Sequence, residues 1–255
     1  MRFDVITLFP ELFAAHRVHG VTRRAFESGQ VEVQLWNLRD FGDPPHGRVD
    51  DRPYGGGPGM VLLAEPLERA LSAIRAARAE AVPAPLVSFS PAGQTLRQDR
   101  VAEFASGAGA ILLCARYEGV DQRFIDARVD LELSIGDYVL SGGDLPALVL
   151  LDAVARLQAG VLGDARSHQQ DSFSEGLLDC PHYSRPERLD IGTGTVPVPD
   201  VLLSGHHAAI ERWRRDQALV ATGERRPDLV ERARAQGRLD AADEAALAAK
   251  QKRKL

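Results

Sequence analysis

The chain has 255 residues, 44% hydrophobic and 26% charged, an ordinary composition for one large globular domain or a main domain with a small companion. Its longest apolar runs are broken by Pro, Gly or charge before membrane-spanning length, so no transmembrane segment and no membrane partner is expected. The net charge of −5 is uneven: residues 210–255 hold twelve Lys and Arg against eight Asp and Glu, +4 there and −9 elsewhere; such a tail either meets a polyanion or is a solvated helical face.

The N-terminus MRFDVITLFPELF carries Asp4 and Pro10 inside its apolar stretch and lacks a secretory cleavage pattern. Cys114 and Cys180 lie far apart and are read as belonging to no CxxC or Cys/His cluster, so neither zinc nor a disulfide framework is expected, and the compartment reads as cytoplasmic. All three lysines, Lys250, Lys252 and Lys254, fall in the last six residues. That excludes a GxxxxGK[ST] phosphate loop and a Schiff-base lysine in the body of the protein, and GxSxG, HExxH and GxGxxG motifs are absent too.

In chain order, residues 3–9 read as a strand, and Pro10 suits the first turn of a helix through residue 15. A short helix near 22–27 precedes an alternating strand at 31–35; residues 43–59 form a long Gly- and Pro-rich loop, and 65–80 a periodic helix with Leu67, Leu71 and Ile74 on one face. Strands at 85–89, 110–114 and 131–135 alternate with helices near 98–106 and 121–127, which argues for a parallel α/β sheet. Residues 145–158 form a helix apolar enough to be buried in a core or against another subunit. Residues 160–176 read as a linker or mobile loop, 180–203 as irregular, and 206–222, 227–235 and 241–250 as helices. The organisation is thus a domain over 1–160, a flexible linker over 161–176 and a small helical domain over 177–255.

Four segments carry possible chemistry. Gly55, Gly56 and Gly57 allow positive φ and close backbone approach, in a loop folding over a ligand or in a flexible turn. Ser90, Pro91, Ala92 and Gly93, the stretch from Ala115 to Asp121, and the stretch from Ser134 to Asp144 each follow a strand, where parallel sheets bind ligands. Either these are plain turns, or together they make one pocket whose backbone groups read an adenine edge while Ile135, Leu140 and Pro146 enclose the ring. Arg156 stands four residues after Asp152 and is either half of an intrahelical ion pair or functional; Asp171, in the polar linker, is either solvated or functional.

Taken together, LFPELF, VDDRPYGGGPGM, RYEGVDQR, SIGDYVLSGGDLPA, GVLG, DSFSEGLLDCPHYSRPE and VPDVLLSGHHAAIERWRR closely resemble the bacterial tRNA (guanine-N1)-methyltransferases, the TrmD family, from the N-terminus to about Pro227. The resemblance implies a SPOUT fold, an α/β parallel sheet with a deep trefoil knot, plus a small C-terminal helical domain. It implies a cytoplasmic homodimer with shared active sites that methylates N1 of the guanosine 3′-adjacent to the anticodon, position 37. The implied donor is S-adenosyl-L-methionine, held by Ser90, Pro91, Gly93, Ala115, Tyr117, Glu118, Ile135, Gly136, Asp137, Tyr138, Val139, Leu140, Gly142, Gly143 and Pro146. Ala115 departs from the family's usual Gly, which narrows the pocket slightly while sparing a backbone hydrogen bond. Asp171 matches the family's general base, needed because guanine N1 carries a proton at neutral pH. Arg156 matches the residue that offsets charge on guanine O6. Mg²⁺ is implied, with Glu118 as its carboxylate, and the basic C-terminal domain would hold the tRNA anticodon stem-loop. The rivals are a SPOUT enzyme acting on another base or ribose, and a non-catalytic tRNA-binding protein; both are disfavoured by Asp171, Arg156 and the near-intact donor loops.

Overall fold

The computed structural model describes residues 1–79, 83–163, 170–192 and 194–251, which divide into two compact units, Met1–Ala165 and Arg166–Leu255. The first holds, in chain order, β1 (Arg2–Thr7), α1 (Ala14–Val18), α2 (Arg23–Glu27), β2 (Glu32–Asn37), β3 (Asp50–Asp51), β4 (Val61–Leu62), α3 (Ala64–Arg78), β5 (Leu86–Thr95), α4 (Gln98–Ser106), β6 (Gly109–Leu113), α5 (Gln122–Arg128), β7 (Leu131–Ser134) and α6 (Asp144–Arg156). Five strands form one sheet in the order β2-β1-β6-β5-β7, and every pairing in it is parallel.

Period-2 alternation feeds two cores, one on each face of this sheet. Phe3, Val5, Val87, Phe89, Ala110 and Leu112 point to the side covered by α2, α4 and α6. Ile6, Leu86, Ile111 and Leu113 point to the side covered by α3 and α5, where Leu67, Leu71, Ile74 and Phe124 pack. Strands buried on both faces explain the near-continuous apolar runs of the sequence. Near the amino end of β1, the fully buried Asp4 accepts hydrogen bonds from Arg78 at 2.6 Å, Arg2 at 2.8 Å and Trp36 Nε1 at 2.8 Å, so its charge is balanced where it is desolvated.

Two departures from the sequence reading bear on function. The strand expected at 85–89 continues to Thr95, because Phe89 and Gln94 both align with Leu133 of β7 and the residues between them form a bulge. Ser90, Pro91 and Gly93 therefore sit in a bulge rather than in a turn leading to a helix. The long loop expected at 43–59 contains β3, which pairs antiparallel with β4, so the three-glycine run tips a hairpin. The predicted helix 65–80 ends at Arg78, with Ala79 in the left-handed region at φ 50°; residue 80 lies outside the described residues.

The second unit begins with turns around residues 171–178 and continues as β8 (Arg188–Asp190), β9 (Thr195–Pro197), α7 (Asp200–Leu203), α8 (His207–Arg225), α9 (Pro227–Ala235) and α10 (Ala241–Gln251). The β8–β9 hairpin and α7 fall in the stretch expected to be irregular; strands of three exposed residues are too short to carry a clear period-2 signal. Leu177, Leu219 and Ala233 form the core of this unit, with Leu239, Ala246 and Leu247 against it. Of the predicted linker 161–176, residues 164–169 lie outside the described residues. Among the described residues, no helix is long and apolar enough to cross a membrane.

Candidate functional site

β6, β5 and β7 are neighbours in the sheet, so parallel pairing sets their carboxyl ends side by side. There the segment from Ala115 to Gly119 meets the segment from Ile135 to Gly143, and the bulge of β5 lies against β7. Glycine makes the contacts possible. A Cβ on Gly93 would lie 2.6 Å from the Glu132 carbonyl carbon, and one on Gly143 2.8 Å from Cys114 Cα, distances no side chain tolerates. A Cβ on Gly142 would lie 2.4 Å from Arg116 Cδ. Gly136 has φ 148°, and its Cβ would strike the Tyr138 ring. The loops are stitched by Gly143 N–H to Ala115 O at 2.9 Å and Leu96 N–H to Ser134 O at 2.8 Å.

Around this backbone cradle Tyr117, Tyr138 and Val139 are exposed, as are Pro91, Glu118 and Asp137, whereas Pro146 is buried in the first turn of α6 and Ser90, Ile135 and Leu140 are half-buried. Glycine-lined main chain with loose aromatic and aliphatic groups suits a flat heterocycle attached to polar groups, and so fits a nucleoside-type methyl donor. The Ala115 side chain packs against the α3-side core.

A buried network missed at the sequence level braces these loops. Asp144 accepts from Thr7 Oγ1 at the end of β1 and from Arg116 Nε at 2.7 Å, and Arg116 also reaches the Ser141 carbonyl at 3.3 Å. The Arg116 guanidinium lies 4.6 Å from the centre of the Phe9 ring. The signal was present as a lone acid opening an apolar helix after two glycines. Cys114 sits beside this network, and burial, reinforced by Asp144, pushes its thiol well above the ordinary value. It is an inert core group.

The three-glycine hairpin joins the same region. Glu118 N–H bonds Met60 O at 2.9 Å, and its carboxylate lies over Gly59, where a Cβ would come within 2.3 Å of it. Among the described residues, Glu118 belongs to no group of three His, Cys, Asp or Glu side chains that converge on a metal. One exposed carboxylate does not by itself make a magnesium site.

Arg156 is the last residue of α6, in the first unit. The acid four residues before it, Asp152, lies 3.9 Å from His16 Nε2. Asp171 belongs to the second unit, where Ser174 N–H bonds its carbonyl at 3.2 Å and Phe173 N–H bonds Leu177 O at 2.6 Å. These turns are anchored to the helices: Leu178 N–H bonds Thr222 Oγ1 at 3.0 Å, and Arg215 bridges Glu175 at 2.8 Å and the buried Asp243 at 2.9 Å. Three described non-glycine residues have positive φ, and two lie in these segments: Tyr117 at 62° and Phe173 at 74°. Strain of about 1–3 kcal/mol per such residue is characteristic of functional loops.

A few residues on, Asp179, Cys180 and His182 bring one carboxylate oxygen, one thiol and one ring nitrogen within 4.8 Å of one another. This overturns the expectation that neither cysteine belongs to a Cys/His cluster: a single residue, Pro181, separates Cys180 from His182, a spacing shorter than that of the common zinc motifs. The charge of the tail is also partly spent internally, in the pairs Arg212–Asp243, Arg226–Asp228 and Arg234–Glu244.

A family model described as tRNA (guanine-1)-methyltransferase TrmD matches residues 1–232. Proteins named tRNA (guanine-N(1)-)-methyltransferase match across both units. That of Leptothrix cholodnii is 66% identical over 251 residues, covering 98% of this chain and all of the relative. That of Paracidovorax citrulli is 65% identical over 253 residues, covering 97% and 98%, and that of Cupriavidus necator is 56% identical over 246 residues, covering 96% and 93%. With the parallel sheet and its glycine-lined loops, these matches establish that the chain belongs to the TrmD family of tRNA (guanine-N1)-methyltransferases.

Proposed function

We propose that this chain methylates N1 of the guanosine 3′-adjacent to the anticodon, position 37 of tRNA, using S-adenosyl-L-methionine. One observation carries the reading: among three neighbouring parallel strands, the bulge of β5 and the loops after β6 and β7 carry glycines that allow main chain to meet main chain, in a chain matched by this family through residue 232. The donor supplies an electrophilic methyl group on sulfur.

The loops at Ser90, Pro91 and Gly93, at Ala115, Tyr117 and Glu118, and from Ile135 to Leu140 hold the donor, with Gly142, Gly143 and Pro146 beneath it, in the trefoil-knot arrangement that the family resemblance implies. Asp171 accepts the N1 proton as the new N–C bond forms, and Arg156 offsets the negative charge that shifts to O6. A guanidinium fork matches O6 and N7 of guanine. The strained turn at Phe173 supports this reading, since it follows Asp171 by two residues.

A second copy completes the site. α6 buries one side yet leaves Leu145 and Val149 exposed, an apolar face of the kind a twofold partner covers. The helical unit grips the anticodon stem through phosphate contacts, for which Arg214 and Arg225 on α8 are exposed. The target base leaves its stack to enter the pocket. The setting is the cytoplasm, where tRNA is matured.

The test is incubation of purified protein with a tRNA transcript bearing guanosine at position 37 and methyl-labelled donor, followed by nucleoside mass analysis. The expected product is 1-methylguanosine, lost when adenosine replaces that guanosine. A different methylated nucleoside overturns the assigned target, and tRNA binding without methyl transfer overturns the assigned chemistry.

A further inference from the structure

We propose that Asp179, Cys180 and His182 form a binding site for one soft divalent cation, with Zn²⁺ as the natural occupant. The observation is the convergence of three different donor types in four consecutive residues, all within 4.8 Å of one another. Tetrahedral zinc with bonds of about 2.0–2.3 Å requires donor separations of about 3.4–3.7 Å. Side-chain rotation closes that gap, because His182 is 74% exposed and swings from the surface.

The other two ligands are held by the backbone. Asp179 N–H bonds Ser172 Oγ at 2.9 Å, Cys180 N–H bonds Asp179 Oδ1 at 2.6 Å, and Pro181 fixes φ between the thiol and the imidazole. Asp179 Oδ2 already lies 2.9 Å from His182 Nε2 and the same carboxylate also pairs with the Cys180 thiol, so an incoming cation displaces both contacts and releases the thiol proton to solvent as it takes the thiolate. A thiol and an imidazole select zinc over magnesium. Three protein ligands, of which His182 is exposed while Cys180 is buried, leave the fourth vertex to water on the solvent side, as in open zinc sites. The site is built from the helical unit's own residues and does not depend on the methyl-transfer chemistry above.

The test uses full-length, untagged, reduced protein stripped of metal. Co²⁺ is titrated as a spectroscopic probe, and Zn²⁺ affinity is read by competition with a chromophoric chelator. One equivalent of Co²⁺ should produce a thiolate-to-cobalt charge-transfer band that disappears in Cys180→Ser and persists in Cys114→Ser. Zn²⁺ should raise the melting temperature, and His182→Ala, at an exposed position where folding is unaffected, should weaken Zn²⁺ at least tenfold. Absence of the charge-transfer band, or zinc affinity unchanged in both Cys180→Ser and His182→Ala, overturns the proposal.

Discussion

Arg116 and Asp144, 28 positions apart, are joined by a 2.7 Å hydrogen bond from Nε to Oδ2 that ties the loop after β6 to the first turn of α6. Both partners are largely out of water, and Thr7 brings the end of β1 to the same carboxylate. The ends of two central strands and the start of α6 thus share one charge. Such a pair contributes little net stability but fixes geometry strongly, because removing one partner strands the other.

Asp144→Asn keeps the shape and removes the charge. Donor binding should weaken about tenfold, roughly 1.4 kcal/mol, with circular dichroism unchanged. Titration calorimetry with S-adenosyl-L-methionine decides: affinity within twofold of the parent means that this network does not organise the donor loops.

The glycine contacts give a paired test. Gly143→Ala drives a methyl against Cys114 Cα and the Ala115 amide, 2.8 and 3.1 Å away, and main chain cannot yield as a flexible side chain does. Donor affinity should fall by tenfold or more. Ala115→Gly removes a methyl that packs on the α3-side core, so it should leave donor affinity within about twofold and lower stability by about 0.5–1 kcal/mol. Tighter donor binding by Ala115→Gly would mean that this methyl narrows the pocket after all.

Asp171→Ala should abolish methyl transfer while donor affinity stays within twofold, since the residue is proposed to act on the base and not on the donor. Lost donor affinity would give Asp171 a structural part instead. Arg156→Lys should fail to restore turnover, because a single ammonium cannot reproduce the planar fork; parent-like kcat in that variant removes Arg156 from the proposed chemistry.

Much of the first unit was legible in the sequence for a simple reason. Strands such as β6, with Ile111, Leu112 and Leu113 all fully buried, and the helix α4, found at Gln98–Ser106 as expected, follow local rules of period and propensity. What escaped depended on partners distant in sequence. The bulge after Phe89 exists only because β7 offers Leu133 to two residues of β5. The role of Asp144 requires Thr7 and Arg116, neither of which its own neighbourhood announces. In the second unit, the weak alternation of β8 and β9 gave no period to find. Asp179, Cys180 and His182 stand within four consecutive residues, a spacing that matches none of the common zinc patterns such as CxxC.

The helical unit carries its own pH signature at Asp243. Burial opposes ionisation of this carboxyl, but hydrogen bonds from Arg215 and Arg212 outweigh it and hold the group below the ordinary carboxylate value. A depressed folded-state value means that the unfolded chain takes up the proton first as pH falls. The stabilisation is therefore complete above about pH 4, the unfolded value, and drains away as pH drops toward the lower folded value. Asp243→Asn should reduce stability by about 1–2 kcal/mol at pH 7, a figure discounted because both arginines are partly in solvent. The gap between variant and parent should narrow below about pH 4. Thermal melts of both proteins from pH 7 to pH 3 measure this directly. A gap that stays constant across the range would mean that Asp243 holds α8 and α10 by shape and not by charge.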